Sequence, residues 1–157
     1  MIPDLKIQLK KYRLMKLSFD INSQYDAKRK PIPTTFGTST TYGITKEIAN
    51  VTFGIRCNSE NMPFFIEVVY QGIFEFNKDL SAIDAKESDK VIKIFCPAIL
   101  VPFIRETIAE TTRKADFTPL ILPAINFHEQ YENEKKQNSK IDKSIPDRKK
   151  VKRIKKI

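Results

Sequence analysis

The chain predicts an α+β fold: a four-stranded antiparallel sheet followed by a long helix and a shorter C-terminal helix. Three features carry that prediction. Up to residue 76 the apolar residues alternate, or cluster in β-branched and aromatic runs; from residue 91 they recur at roughly helical spacing. From the second strand onward the connections are short, so neighbouring strands should pair antiparallel. Strands come first and helices last, an order that separates α+β from alternating α/β folds.

The elements follow in turn. Residues 5–21 read as one long strand: Leu5, Ile7 and Leu9 share a face, and Tyr12, Leu14, Leu17, Phe19 and Ile21 continue it after a phase slip, which predicts a bulge near residues 12–16. The polar, basic residues 22–33 read as a loop. A Thr-rich strand over 34–40 is expected to end at the turn signal Tyr42-Gly43, and a third strand is expected within 44–57. Asn58-Ser59-Glu60-Asn61 supplies turn chemistry. Residues 64–76 form the clearest strand, with Gly72 inside it marking a bulge or a close backbone approach.

Residues 78–90 read as a charged connector. In 91–114 a helical stripe of Ile92, Phe95, Ile99, Phe103 and Ile108 conflicts with Pro97 and Pro102, which predicts either a kinked helix or one that begins near Pro97. Residues 116–125 hold two prolines and form a loop. Asn126, with Glu129 three residues on, is expected to cap a last helix from Phe127 towards Asn138.

At 157 residues with 41% hydrophobic content, the chain is expected to close one core. No apolar run is long enough to span a bilayer, and Met1-Ile2-Pro3-Asp4 does not open a signal peptide, so a cytoplasmic location without membrane insertion is expected. The net charge of +9 is localised. Residues 135–157 carry 11 Lys/Arg against 2 Asp/Glu, which leaves 28 − 11 = 17 basic and 19 − 2 = 17 acidic residues in 1–134. The chain therefore divides into a neutral folded body (1–134) and a basic C-terminal tail (135–157), expected to be solvated and flexible.

Catalytic machinery is not visible. Cys57 and Cys96 form no CxxC pair and read as reduced, buried thiols, a disulfide or a reactive thiol being the alternatives; with a single histidine, His128, no metal cluster is composed. Four glycines give no phosphate cradle. Neither an enzyme nor a cofactor is expected.

Four motifs fall in sequence: Ser18-Phe19-Asp20; Tyr70-Gln71-Gly72-Ile73-Phe74; Cys96-Pro97 with Leu100, Pro102-Phe103 and Arg105-Glu106; and Phe117, Leu120 and Leu122 leading to Asn126-Phe127. Together they resemble the SecB family of export chaperones over residues 5–134. The resemblance implies a chaperone that works without ATP, a homotetramer built as a dimer of dimers with its long helices between two sheets, and extended clients lying in hydrophobic outer grooves. On that reading Phe117-Thr118-Pro119-Leu120-Ile121-Leu122-Pro123 is an apolar loop with a purpose. Phe36, Phe117, Leu120, Leu122, Phe127 and Tyr131 are the candidate client groove, and Phe103, Arg105, Glu106 and Ile108 the candidate oligomer interface. Such a groove would bind unfolded polypeptide by non-directional apolar burial.

Two departures qualify the resemblance. Where the family has an Arg-Gly-Gly turn after the long helix, this chain has Arg113-Lys114-Ala115-Asp116, so the loop path is expected to differ. Export members are acidic and hand clients to SecA, whereas a neutral body with a lysine-rich tail is a poor electrostatic match for SecA. This favours the branch dedicated to one antitoxin in toxin–antitoxin–chaperone systems over general export of preproteins. A nucleic-acid or acidic-partner contact through the basic tail is the further alternative.

Overall fold

The structure is a computed structural model and describes residues 2–28 and 35–144. Four strands, β1 (Ile7–Ile21), β2 (Gly37–Thr45), β3 (Ile48–Cys57) and β4 (Phe64–Phe76), are followed by a short 3-10 turn (Leu80–Ala82) and two helices, α1 (Ala85–Lys114) and α2 (Phe127–Ser144). The sheet is antiparallel throughout, in the order β1-β4-β3-β2. The predicted fold class and element order are those observed.

The phase slip in β1 is two bulges, not one. Lys10 and Met15 are each an extra residue against β4, so Leu9, Tyr12, Leu14, Leu17, Phe19 and Ile21 face Phe74, Gly72, Tyr70, Val68, Ile66 and Phe64 in register. Directly opposed residues point to the same side of a sheet, so each bulge restores the apolar row to the helix-facing side. On the other side the basic residues of β1 find partners: Lys10 with Glu75, Lys16 with Glu67 at 2.6 Å, and Arg13 with the Gln71 side-chain carbonyl at 2.8 Å, while Arg56 of β3 shares Glu67 at 2.9 Å.

The β2–β3 turn falls at Lys46-Glu47, later than Tyr42-Gly43 suggested. β2 runs straight through Gly43 because register is set by the buried face of β3, where Ala49, Val51, Phe53 and Ile55 are wholly buried. Gly72 answers to the second of its two predicted roles. A Cβ there would lie 2.6 Å from the Phe74 ring and 3.1 Å from Leu100 of α1, so the glycine permits close approach of helix and sheet.

Helix α1 begins at Ala85, earlier than the predicted 91. Asp84 caps it by accepting from the Lys86 and Glu87 amides at 3.1 and 3.3 Å. Of the residues read as a connector, 78–90, those from Ala85 on are its first turns. The helix continues through Pro97 and Pro102; packing on the sheet outweighs the hydrogen bonds the prolines remove. Its core-facing stripe is Ile92, Cys96, Leu100, Ile104 and Ile108, each wholly buried against β3 and β4. The predicted stripe was turned by about one residue: Phe95 is exposed and Ile99 and Phe103 are half-buried. A helix that is apolar on several sides does not reveal its buried face through period alone.

The end of α1 retains the geometry that glycine usually supplies. Asp116 lies in the left-handed region (φ 65°), its amide donates to the Arg113 carbonyl at 3.1 Å, and the Phe117 amide donates to the Thr112 carbonyl at 3.0 Å. This is a Schellman closure with aspartate at the left-handed position. The aspartate also sets a negative charge at the negative end of the helix. Asp116→Gly is therefore expected to stabilise the fold by about 1 kcal/mol, the relief of left-handed strain and charge exceeding the added chain entropy. Asp116→Asn should recover part of that gain, and the urea midpoint at constant slope measures both.

Candidate functional site

The loop 117–126 and α2 lie beside α1, and their aromatic residues fix where they sit on the sheet. Phe117 packs against Phe64 and Phe19, with ring centroids 5.0 and 6.4 Å apart, at the end of β1 and β4. Phe127 sets an edge against Phe53 of β3 at 5.6 Å. Asn126 caps α2 as predicted: its side-chain oxygen accepts from the Glu129 amide at 3.2 Å, and Glu129 accepts from its amide group at 3.4 Å.

Between these anchors the loop hangs on two polar side chains of α1. The Thr112 hydroxyl accepts from the Leu120 amide at 3.0 Å, and Arg105 Nη2 donates to the Pro123 carbonyl at 2.7 Å. Of the six candidate groove residues, Leu122 and Tyr131 are buried in the isolated chain, while Phe36, Phe117, Leu120 and Phe127 are half-buried and packed against the core. Five of the six lie on the loop and α2, and Phe36 immediately precedes β2. Ile121 was not among the candidates, yet it is 80% exposed between two of them.

The candidate interface residues scatter. Ile108 belongs to the core of its own chain, and Arg105 is engaged by the loop. Glu106 is exposed above a shallow depression shared with Ala109, Glu110, Arg113 and Pro119. Phe103 stacks on Tyr12 of β1 at 3.9 Å, on the flank where α1 leaves β1 uncovered. On that flank Tyr12, Leu14 and Leu17 are 44–46% exposed although they point to the core side of the sheet.

A polar clasp holds α2 down. Asp89 of α1 accepts from the Tyr42 hydroxyl of β2 at 2.5 Å and from the Tyr131 hydroxyl of α2 at 3.0 Å. Lys93 adds an ion pair to Asp89 at 3.3 Å and reaches Glu134 at 3.7 Å; Lys135 lies 4.5 Å from the Tyr131 ring centre. Burial alone would raise the Asp89 pKa, but the two hydroxyls and the ammonium outweigh it and hold the carboxyl below its ordinary value. Both phenols are correspondingly raised, foremost by burial and then by the bond to Asp89, Tyr131 to about 12.

A carboxyl depressed in the folded state contributes stability above its unfolded pKa and loses it as pH falls through the folded value. The clasp should therefore hold at neutral pH and weaken progressively below about pH 4. Amide exchange in α2 is expected to accelerate in that range ahead of exchange in β3 and β4. In Asp89→Asn it should be fast already at neutral pH and lose most of its acid dependence.

Cys57 and Cys96 are free and buried, and burial pushes their thiols up to about 11 and about 12, which keeps them protonated and unreactive at neutral pH. Among the described residues no group of His, Cys, Asp or Glu is arranged to hold a metal ion, and no helix is long and apolar enough to cross a membrane. His128 is exposed and meets the edge of Phe95.

Residues 5–138 match the family model described as preprotein translocase subunit SecB. The chain belongs to the SecB family. SecB proteins are chaperones, not enzymes. Among curated SecB relatives, the protein-export protein SecB of Orientia tsutsugamushi (strain Boryong) is 32% identical over 146 residues, covering 85% of this chain and 86% of that one. The protein-export protein SecB of Anaplasma phagocytophilum is 37% identical over 81 residues, 51% of each chain. In fold, the chain is similar to the SecB-like chaperone of Mycobacterium tuberculosis solved in complex with a ChAD peptide from the HigA1 antitoxin. That likeness has a TM-score of 0.52 at 16% identity, over 76% of this chain and 91% of the other.

Proposed function

We propose that this SecB-family chaperone is an ATP-independent holdase that binds extended, apolar polypeptide along the loop 117–126 and the neighbouring edge of α2. The observation that carries this reading is the loop itself. Phe117, Leu120 and Phe127 keep part of their apolar surface accessible, and Ile121 keeps most of it, in a segment stapled to α1 rather than free to fold away. Leu122 and Tyr131 form the floor, and Phe36 extends the track along β2. The peptide seated on the M. tuberculosis neighbour supports a polypeptide ligand for this fold.

The test is binding of a permanently unfolded probe, reduced and carboxymethylated α-lactalbumin, against the native form of the same protein, without nucleotide. Micromolar or tighter affinity for the unfolded probe alone is expected; equal affinity for the two forms, or none for either, overturns the reading.

Export of preproteins is the favoured destination, because the relatives that align over most of the chain are export proteins. Dedication to one antitoxin is the second reading, favoured by the charge distribution: a neutral body and 11 basic residues in 135–157. Part of that basic stretch continues α2 to Ser144, and residues 145–157 lie outside the described residues. Deleting the gene decides between them. A secretion defect supports export; toxicity relieved by removing a neighbouring toxin supports the antitoxin role. The working form on this reading is a homotetramer in the cytoplasm, supported by the uncovered apolar row of β1 on the free edge of the sheet.

A further inference from the structure

Resting on the groove reading above, we infer that Ile121 is a residue by which this chain grips its client, and that Thr112 and Arg105 are positioning residues that hold it out. The inference comes from the backbone. The Leu120 amide is fixed by Thr112 and the Pro123 carbonyl by Arg105, at 3.0 and 2.7 Å, which leaves a span of two residues, Ile121 and Leu122, between the two staples. Neither residue lies in a helix, and successive side chains of an unwound segment point to opposite sides. Leu122 is driven inward, 3% exposed, and Ile121 is consequently 80% exposed. The chain cannot bury both without breaking a staple.

The staples themselves are dedicated to this task. Thr112 is wholly buried; its hydroxyl donates back to the Ile108 carbonyl at 2.9 Å while accepting from the loop. Arg105 leaves its buried Nε without an acceptor, a burden the fold carries while the same guanidinium holds Pro123. Pro119 and Pro123 fix φ on both sides of the span, so the loop loses little further freedom when a client docks. An exposed aliphatic on a rigid track suits extended client segments rich in aliphatic and aromatic side chains, without demand for a particular sequence.

Ile121→Ser is expected to weaken binding of carboxymethylated α-lactalbumin about tenfold through a faster off-rate, as for loss of a largely buried aliphatic contact, and to leave thermal stability unchanged. Ile121→Leu should bind as the unchanged chain does. Arg105→Gln should weaken binding about threefold in the Ile121 background and not at all in the Ile121→Ser background, whereas a purely structural arginine would cost the same in both. Ile121→Ser binding as tightly as the unchanged chain, while the unchanged chain still prefers the unfolded probe, overturns this inference and leaves the groove reading intact. Failure of the unchanged chain to bind the probe overturns both.

Discussion

Leu14→Glu with Leu17→Glu is expected to convert the proposed homotetramer to folded monomers. Both side chains lie on the helix-facing side of β1, opposite Tyr70 and Val68, yet α1 packs across β4 and β3 and leaves them 44% and 45% exposed. Tyr12, at 46%, and the half-buried Phe103 extend the row, joined by their 3.9 Å stack. A contiguous apolar row on an edge strand that also has unpaired backbone groups is a surface that water disfavours, and a second copy is the occupant proposed for it. Two glutamates per copy would each have to be desolvated in such an interface, at a cost of several kcal/mol per charge. The isolated fold would be spared, since both positions already face water in it. Light scattering at micromolar concentration should show the mass fall to that of one chain, with far-UV circular dichroism unchanged. An unchanged mass would remove β1 from the interface.

The second large effect is expected from Phe53→Ala. Phe53 is wholly buried on β3, between Thr40 and Tyr70 on the neighbouring strands, and its ring takes the edge of Phe127 from α2. Truncation leaves a ring-sized cavity at a site walled by three strands and a helix, which is expected to cost about 3–5 kcal/mol. Loss of the aromatic pair contributes roughly 0.5–1.5 kcal/mol of that total. Phe53→Leu keeps most of the volume and should lose far less. Urea unfolding of the two variants separates them. The same alanine variant should also release α2, so that amide exchange at residues 127–135 rises more than exchange in β1, which lies two strands away. Equal acceleration in both places would mean that Phe127 does not anchor the helix through Phe53.

Much of this was legible in the chain. Four β-rich runs followed by helical spacing set the element order, and the Cys96-Pro97…Arg105-Glu106 block together with Asn126-Phe127 placed the chain in the SecB family. The phase slip in residues 5–21 registered real bulges, although only the register against β4 shows that there are two and that both serve to keep one face apolar. Errors came where a local signal was overruled from a distance. Tyr42-Gly43 has turn chemistry, but β2 continues because β3 needs Ala49 inward. Pro97 and Pro102 left open a helix that begins near Pro97, but α1 begins at Ala85 and runs through both because the sheet buries it along its length. Asp116 lacks the freedom of glycine and adopts the left-handed geometry all the same.

The candidate site divides along the same line. Composition located the apolar loop and the family resemblance named Leu120 and Leu122 within it, but neither offered a way to tell which neighbour faces water. That depends on two hydrogen bonds across 8 and 18 residues of chain, from Thr112 and Arg105. Likewise the clasp among Tyr42, Asp89 and Tyr131 joins three elements that no spacing rule connects. Sequence by itself determined the fold class and the family and singled out the candidate segment, because those rest on local periodicity and short motifs. Tertiary structure alone decided that Ile121 points out, that Leu122 is buried and that the middle of β1 is left uncovered, because each of those depends on which surfaces α1 reaches and which it does not.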